Sequence, residues 1–418
     1  MESGEIRFHD PLIVFEDGQY YCFSTDTDVL GVQRAVSTDL LTWKLIEPVF
    51  SEAPAEVRRH IAPISPGPYI PAERVGKRSF WAPEIVPWGD EWRLYFCSSG
   101  FGLSQSMIGL AAAKKLGGDF EYRGDVLKTY DGKASDGDWA LRFSAPNAID
   151  PNVARDRDGR PFLIYGSFFG GIYIAPLNDE GFLAASGYGQ RIAGGRHSAV
   201  EGAYVIYDKE ADHYCLFLSR GSLFYDYRIC VAYAGEITGP YVDSQGLEMT
   251  DLDPVLQPGD KIAGAYNFGL PGCRGFMAPG HNSVFRMGDG LYAVHHVRRE
   301  GIRQGSFLQI RRIFFSSSRQ IYLSPVPYDG TVPLPCSEAG AALPGNLSLV
   351  IHDRFNNGVN YGRRFSPAAL DLRCDPAGHC GLHYGGRDYE GRVFFQNGIF
   401  YLSVINAEGE CIWGQGCD

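Results

Sequence analysis

HDPLIVFEDGQYYCFST, residues 9–25, decides the fold. It opens on a small polar signature and runs through apolar residues to an Asp-Gly turn. It then returns as a strand rich in aromatic residues, which is the pattern of a β-hairpin. The same grammar recurs as WAPEIVPWGDEWRLYFCSS from Trp81, IDPNVARDRDGRPFLIYGS from Ile149, VEGAYVIYDKEADHYCLFLS from Val200 and GHNSVFRMGDGLYAVHHV from Gly280. The turns are read at Asp17-Gly18, Gly89-Asp90, Asp158-Gly159, Lys209–Asp212 and Asp289-Gly290. Hairpin units repeated at irregular spacing, with insertions between them, read as propeller blades. The five units therefore predict an all-β chain with a five-bladed β-propeller over residues 1–332. Helical periodicity is poor throughout that span.

Composition agrees. Of 418 residues, 52 are Gly, 24 Tyr and 26 Phe, a mix suited to short strands and tight turns. The net charge of −11 argues against a nucleic-acid partner, because phosphate binding needs a basic face. It also disfavours strongly anionic substrates, while a neutral sugar polymer is compatible. No apolar run is long enough for a transmembrane helix, so no membrane partner is expected. No signal peptide is visible, and oligomeric state is not readable.

Aligning the five units on the residue before Pro, Gly or Asn brings Asp10, Ala82, Asp150, Glu201 and His281 into one register. In a propeller the innermost strand of each blade lines the central channel, so equivalent positions converge around the axis. A single Asp before Pro is common at turns. Three acids and a histidine at the same point of four units are harder to assign to structure. Burying several carboxylates together costs free energy unless a reaction or a metal requires it.

The chain resembles glycoside hydrolase family 43, and within it the endo-acting arabinanases. The carrying motifs are His9-Asp10-Pro11, Trp81-Ala82-Pro83-Glu84-Ile85, Asn147-Ala148-Ile149-Asp150-Pro151, Gly166-Ser167-Phe168-Phe169-Gly170-Gly171-Ile172, Glu201-Gly202-Ala203-Tyr204, Ile237-Thr238-Gly239-Pro240-Tyr241 and Gly280-His281-Asn282. The resemblance implies an endo-acting, inverting hydrolase of α-1,5-linked L-arabinofuranose chains, with arabinan or arabino-oligosaccharides as substrate. Asp10 would be the general base, Glu201 the general acid, and Asp150 the group that raises the acid's pKa. Inversion needs base and acid about 6.5–9.5 Å apart, leaving room for a water.

The resemblance further implies a calcium ion at the propeller centre, held by His281 and waters; the alternative is a neutral histidine that orients the base or solvent. A lone histidine is otherwise a poor calcium site. His9 is read as a support for its neighbour. His295 and His296 alternate faces of a strand, so at most one points inward, and both are read as structural. Substrate contacts are expected from Trp81, Asn147, Ser167, Phe168 and Phe169. Phe169 stands where relatives often carry Trp, which removes an indole donor, and Ala203 stands where they often carry Pro.

Composition shifts near Pro333. Residues 333–345 read as a linker, and 346–418 as a small β-barrel or β-sandwich. Cys22, Cys97, Cys215 and Cys230 read as buried thiols. The spacings Cys374…Cys380 and Cys411…Cys417 each allow a small disulfide ring in an oxidising compartment. Two rival readings remain: an exo-acting α-L-arabinofuranosidase or β-xylosidase on the same scaffold, and a non-catalytic sugar-binding propeller. The segments at residues 50–78 and 250–277 are long enough to wall off either end of a groove. A polymer substrate favours an extracellular or periplasmic location.

Overall fold

The structure is a computed structural model, and it describes residues 6–417 apart from 28–30, 58–78, 103, 130–143, 272–273, 302–304, 332 and 336–342. Most of the 50–78 insertion and the middle of the 333–345 segment thus lie outside the described residues.

Five sheets form the blades of a propeller. The first blade is β1 (Leu12–Glu16), β2 (Gln19–Ser24), β3 (Val32–Ser37) and β4 (Lys44–Val49). The second is β5 (Ser79–Trp88), β6 (Glu91–Ser99), β7 (Ser106–Ala113) and β8 (Glu121–Thr129). The third is β9 (Asn152–Arg155), β10 (Pro161–Tyr165), β11 (Ile172–Pro176) and β12 (Gln190–Ala193). The fourth is β13 (Val200–Asp208), β14 (His213–Arg220), β15 (Arg228–Ala234) and β16 (Asp260–Ala263). The fifth is built on β18 (Phe276–Met287), β19 (Gly290–Arg299), β20 (Phe307–Phe315) and β21 (Ile321–Leu323), with β17 (Tyr266–Asn267) beside β18.

Each blade is an antiparallel meander because a short turn returns the chain beside itself. Asp17 and Gly18 both have positive φ, at 49° and 82°, and close the Glu16–Gln19 pair. In the fifth blade the turn is one residue earlier than the sequence reading placed it. Met287 pairs with Gly290, so the loop is Gly288-Asp289, with Gly288 at φ 58°. Two Gly flank that Asp, and the one that starts the loop takes the positive φ.

The inner strands are joined into a ring by polar contacts. The Ala82 amide donates to Thr25 Oγ1 at 3.0 Å, and Asn152 Nδ2 donates to Glu84 Oε1 at 2.9 Å. The Val205 amide donates to Asn152 Oδ1 at 3.0 Å, Tyr204 Oη to the Val284 carbonyl at 3.3 Å, and Ser283 Oγ to the Pro11 carbonyl at 2.8 Å. Every junction between neighbouring blades therefore carries a hydrogen bond near the hub. Glu84 is fully buried there, and burial pushes its carboxyl up to about 8. It is a neutral hydrogen-bonding link at pH 7, which avoids an uncompensated buried charge.

The C-terminal residues form one curled seven-stranded sheet: β22 (Leu347–His352), β24 (Arg363–Phe365), β25 (Asp371–Cys374), β26 (His379–Tyr384), β27 (Arg387–Gln396), β28 (Ile399–Asn406) and β29 (Cys411–Gly416). The short β23 (Asn360–Tyr361) leaves this sheet and pairs parallel with β17 of the fifth blade. The two parts share one hydrophobic core. Trp413, Val350 and Ile405 pack with Tyr266, Phe314 and Leu323. Arg311 is buried among them, its guanidinium 4.8 Å from the Trp413 ring and donating to the Ser324 carbonyl at 2.8 Å.

Cys22, Cys97, Cys215 and Cys230 are buried free thiols. The ring read for Cys411…Cys417 does not exist. Cys411 opens β29 and Cys417 follows its end, and an extended strand holds such residues about 20 Å apart.

Candidate active site

The hub register carries a backbone signature. Asp10, Ala82, Asp150 and His281 have φ of 52°, 37°, 56° and 50°. In the fourth blade the positive φ falls one residue later, on Gly202 at 59°. L-residues rarely adopt this region, and a following Pro disfavours it further, so the strain is held by the surrounding structure. The kink turns each inner strand at the channel mouth and aims the kinked side chain across it. In the fourth blade Gly202 absorbs the kink, leaving Glu201 within the strand and followed by a bulge before Tyr204.

Asp10, Asp150, Glu201 and His281 line one cavity of about 660 Å³, together with Trp81, Asn147, Ser167, Phe168 and Phe169. These nine residues, the catalytic, substrate-contact and metal candidates read from the sequence, are all brought to this one space. Asp10 is held on both oxygens. Thr25 Oγ1 donates to Oδ2 at 2.6 Å, and His281 Nδ1 lies 3.0 Å from Oδ1. His9 Nε2 and His296 Nδ1 each lie 3.6 Å from Oδ1. Burial alone would raise the Asp10 pKa, but the charge of His281, then of His9, holds it well below the usual carboxylate range. Asp10 is therefore ionised. Conversely, burial would lower His281, yet Asp10 and Asp150 push it up to about 9, so it is an imidazolium at pH 7.

The other two acids behave differently. The Gly202 amide donates to Asp150 Oδ2 at 3.2 Å, and Ser167 Oγ donates to Glu201 Oε2 at 2.7 Å. Burial first, opposed by His281 and reinforced by Glu201, brings Asp150 to about 7. Glu201 is also raised, by burial first, against the hydrogen bond from Ser167. The sequence reading attributed the acid's elevation to Asp150. In the structure burial leads for both groups, and the charge of Glu201 adds to the elevation of Asp150.

Several lining residues escaped the sequence reading. Tyr227 hydrogen-bonds Glu201 through its hydroxyl and stacks on His296 at 5.8 Å. Phe101 and Phe224, from the second and fourth blades, meet edge to face at 6.2 Å across the mouth. The Arg298 guanidinium lies 5.3 Å from the Phe224 ring, and its Nε donates to the Leu223 carbonyl at 2.9 Å. Tyr227, Phe101 and Phe224 sit in strand-to-strand loops with no repeat signature, so alignment of the blades does not find them. The exposed aromatic in the short loop Gly100-Phe101-Gly102 is the one signal available for Phe101.

His296 lines the cavity and His295 does not, in keeping with their alternation. Among the described residues, the ligand-type atoms of His9, Asp10 and His296 lie within 4.8 Å of one another. The two rings are stacked at 4.2 Å, and the Asp10 amide donates to His296 Nδ1 at 3.3 Å, so that nitrogen is already occupied. His281 Nδ1 is likewise engaged, by Asp10 Oδ1, so a cation would have to be met by His281 Nε2 after the ring gives up its proton. His281 sits where three carboxylates favour positive charge, and both polar atoms of the neighbouring Asn282 side chain lack protein partners.

The family model for glycosyl hydrolases family 43 matches residues 4–331. An extracellular endo-α-(1→5)-L-arabinanase from Thermotoga petrophila is 31% identical over 402 residues, covering 88% of this chain and 79% of that protein. The extracellular endo-α-(1→5)-L-arabinanase 2 of Bacillus subtilis is 27% identical over 451 residues, covering 98% and 93%. The crystal structure of the endo-1,5-α-L-arabinanase from Thermotoga petrophila RKU-1 superposes with a TM-score of 0.82 at 26% identity, covering 99% of this chain and 100% of that one.

Proposed function

The chain belongs to glycosyl hydrolases family 43, and from that membership we propose that it cleaves α-1,5-linked L-arabinofuranose chains of arabinan internally, with inversion. The observation that carries this reading is the split among three carboxylates in one cavity: Asp10 held ionised, Asp150 and Glu201 raised. Environments that push titratable groups apart mark base and acid.

Asp10 is the general base. Its oxygens already accept from Thr25 and His281, and a remaining lone pair takes a proton from water as the water's oxygen bonds to the anomeric carbon. Glu201 is the general acid. Ser167 occupies Oε2, leaving Oε1 to carry the proton that passes to the departing glycosidic oxygen. Asp150, through the Gly202 amide, holds the backbone next to the acid and tunes its field. Trp81, Phe168 and Phe169 supply apolar faces for sugar C–H surfaces, and Asn147 a polar contact.

A calcium ion, with His281 and waters as its ligands, belongs to the same reading. When bound, it supplies a fixed positive charge at the hub. The extracellular names of the relatives, and a polymer substrate too large to import, favour action outside the cell.

The test is a product profile on linear arabinan with anomer detection by NMR. Early arabino-oligosaccharides with inverted anomeric configuration support the reading. Arabinose as the sole early product would move it to an exo-enzyme, and no release at all to a sugar-binding propeller.

A further inference from the structure

The sequence Cys374-Asp375-Pro376-Ala377-Gly378-His379-Cys380 folds as a tight hairpin joining β25 to β26. Gly378 has φ 85°, and its amide donates to the Asp375 carbonyl at 3.0 Å. The Asp375 amide donates to the His379 carbonyl at 2.9 Å. This is a three-residue loop: Pro376 begins a turn, and Gly378 takes the left-handed position that ends it.

The turn sets the register. Asp375 and His379 form the hydrogen-bonded pair that closes the loop. Pairs alternate in an antiparallel ladder, so the next one, Cys374 opposite Cys380, is of the non-hydrogen-bonded kind. Its α-carbons are the closely spaced ones, about 4.5 Å apart. That distance lies at the near end of the range a disulfide spans, about 4.4–6.8 Å. Directly opposite side chains also share a face, and the two thiols are in hydrogen-bond contact. The same face continues to Leu372 and Leu382, which pack in the core of the C-terminal sheet.

Reactivity divides between the two. Cys374 is exposed, and its pKa is lowered by the hydrogen bond with Cys380. Cys380 is buried behind it. The thiols of Cys22, Cys97, Cys215 and Cys411 are buried in apolar surroundings with raised pKa values, which makes them inert.

We propose that Cys374 and Cys380 are a redox pair that closes a disulfide across the β25–β26 hairpin, with a small-molecule or protein disulfide as oxidant. The Cys374 thiolate attacks the oxidant and releases one thiol, forming a mixed disulfide. The Cys380 thiolate then attacks Cys374 Sγ and releases the second thiol. The chain gives up two electrons and two protons, and the oxidant ends as two thiols. Because β25 is the edge strand, paired on one side only, the crosslink pins the element of this sheet most prone to fray.

The test uses the folded full-length chain in oxidised glutathione and, separately, in a reductant. Each sample is acid-quenched, alkylated and digested with trypsin. Cleavage after Arg373 and Arg387 places both cysteines on one peptide. After oxidation that peptide should carry no alkyl group and be lighter by two hydrogens; after reduction it should carry two alkyl groups. Tm should rise on oxidation in the wild type and stay unchanged in Cys374→Ser, whose substitution is at an exposed site. Two alkylated thiols after oxidation, or a glutathione adduct on Cys374 that never closes the ring, would overturn the proposal. So would a Tm gain that persists in Cys374→Ser.

Discussion

His281 Nδ1 and Asp10 Oδ1 lie 3.0 Å apart, joining the fifth blade to the residue that enters the first. The pair sets the ionisation of the hub. His281 holds Asp10 down, and Asp10 with Asp150 holds His281 up.

Replacing His281 by Ala removes the nearest positive charge from Asp10. Without it, burial and the other acids raise the Asp10 pKa. The base is then ionised only at higher pH, so the acidic limb of the kcat/KM profile should move to higher pH. Activity below neutrality should fall by about 10- to 100-fold. The variant should also retain less calcium by elemental analysis. An unmoved acidic limb would separate His281 from the base.

Glu201→Ala should lower kcat on arabinan by about 10²- to 10⁴-fold. Loss on aryl arabinosides with good leaving groups should be far smaller, because those need little protonation. Equal losses on both substrates would remove Glu201 from the acid role.

Phe224→Ala opens the aromatic contact with Phe101 at the mouth. An aromatic contact is worth about 0.5–1.5 kcal/mol, so KM for long arabinan should rise about threefold to tenfold while kcat changes little. Steady-state kinetics on arabinan against arabinotriose reads this out. An equal fall in kcat would place Phe224 in the chemistry instead.

Asp260 predicts a pH dependence of stability away from the catalytic cavity. It is buried between the fourth blade and the C-terminal sheet, accepting from Ser244 Oγ at 2.5 Å and lying 3.5 Å from Arg354 Nη2. Burial first, with Asp243 adding, raises it from 3.8 to about 7. The folded state therefore keeps a proton that the unfolded chain has released. Its contribution is fully present below the unfolded pKa and is lost as pH rises through the folded one. Between 3.8 and about 7 this group makes stability fall with rising pH. Asp260→Asn should flatten the Tm–pH curve in that window. An unchanged slope would show that Asp260 does not titrate there.

Truncation after residue 345 exposes the shared core around Tyr266 and Phe314 that Trp413 and Val350 cover. The isolated propeller should be recovered insoluble, or melt well below the full chain by differential scanning calorimetry. A soluble, fully active fragment with unchanged Tm would make the C-terminal sheet an independent module.

Much of the hub was legible because its signal is local and repeated. The residue before Pro, Gly or Asn marks where each inner strand kinks, and Asp10, Ala82, Asp150 and His281 all carry that kink as positive φ. The Gly288-Asp289 turn was misread by one residue, because either Gly beside that Asp satisfies hairpin chemistry. Phe101, Phe224 and Tyr227 were missed because the loops that hold them share no spacing.

The sequence alone determined the blade count, the convergent register and the identity of the three acids, since hairpin periodicity and turn residues act over short stretches of chain. Which acid carries charge, which aromatic rings close the mouth, and which cysteine pair is within bonding range were decided only by the tertiary structure. Burial, electrostatic field and cross-strand register depend on groups that are distant in sequence and adjacent only once the blades have packed.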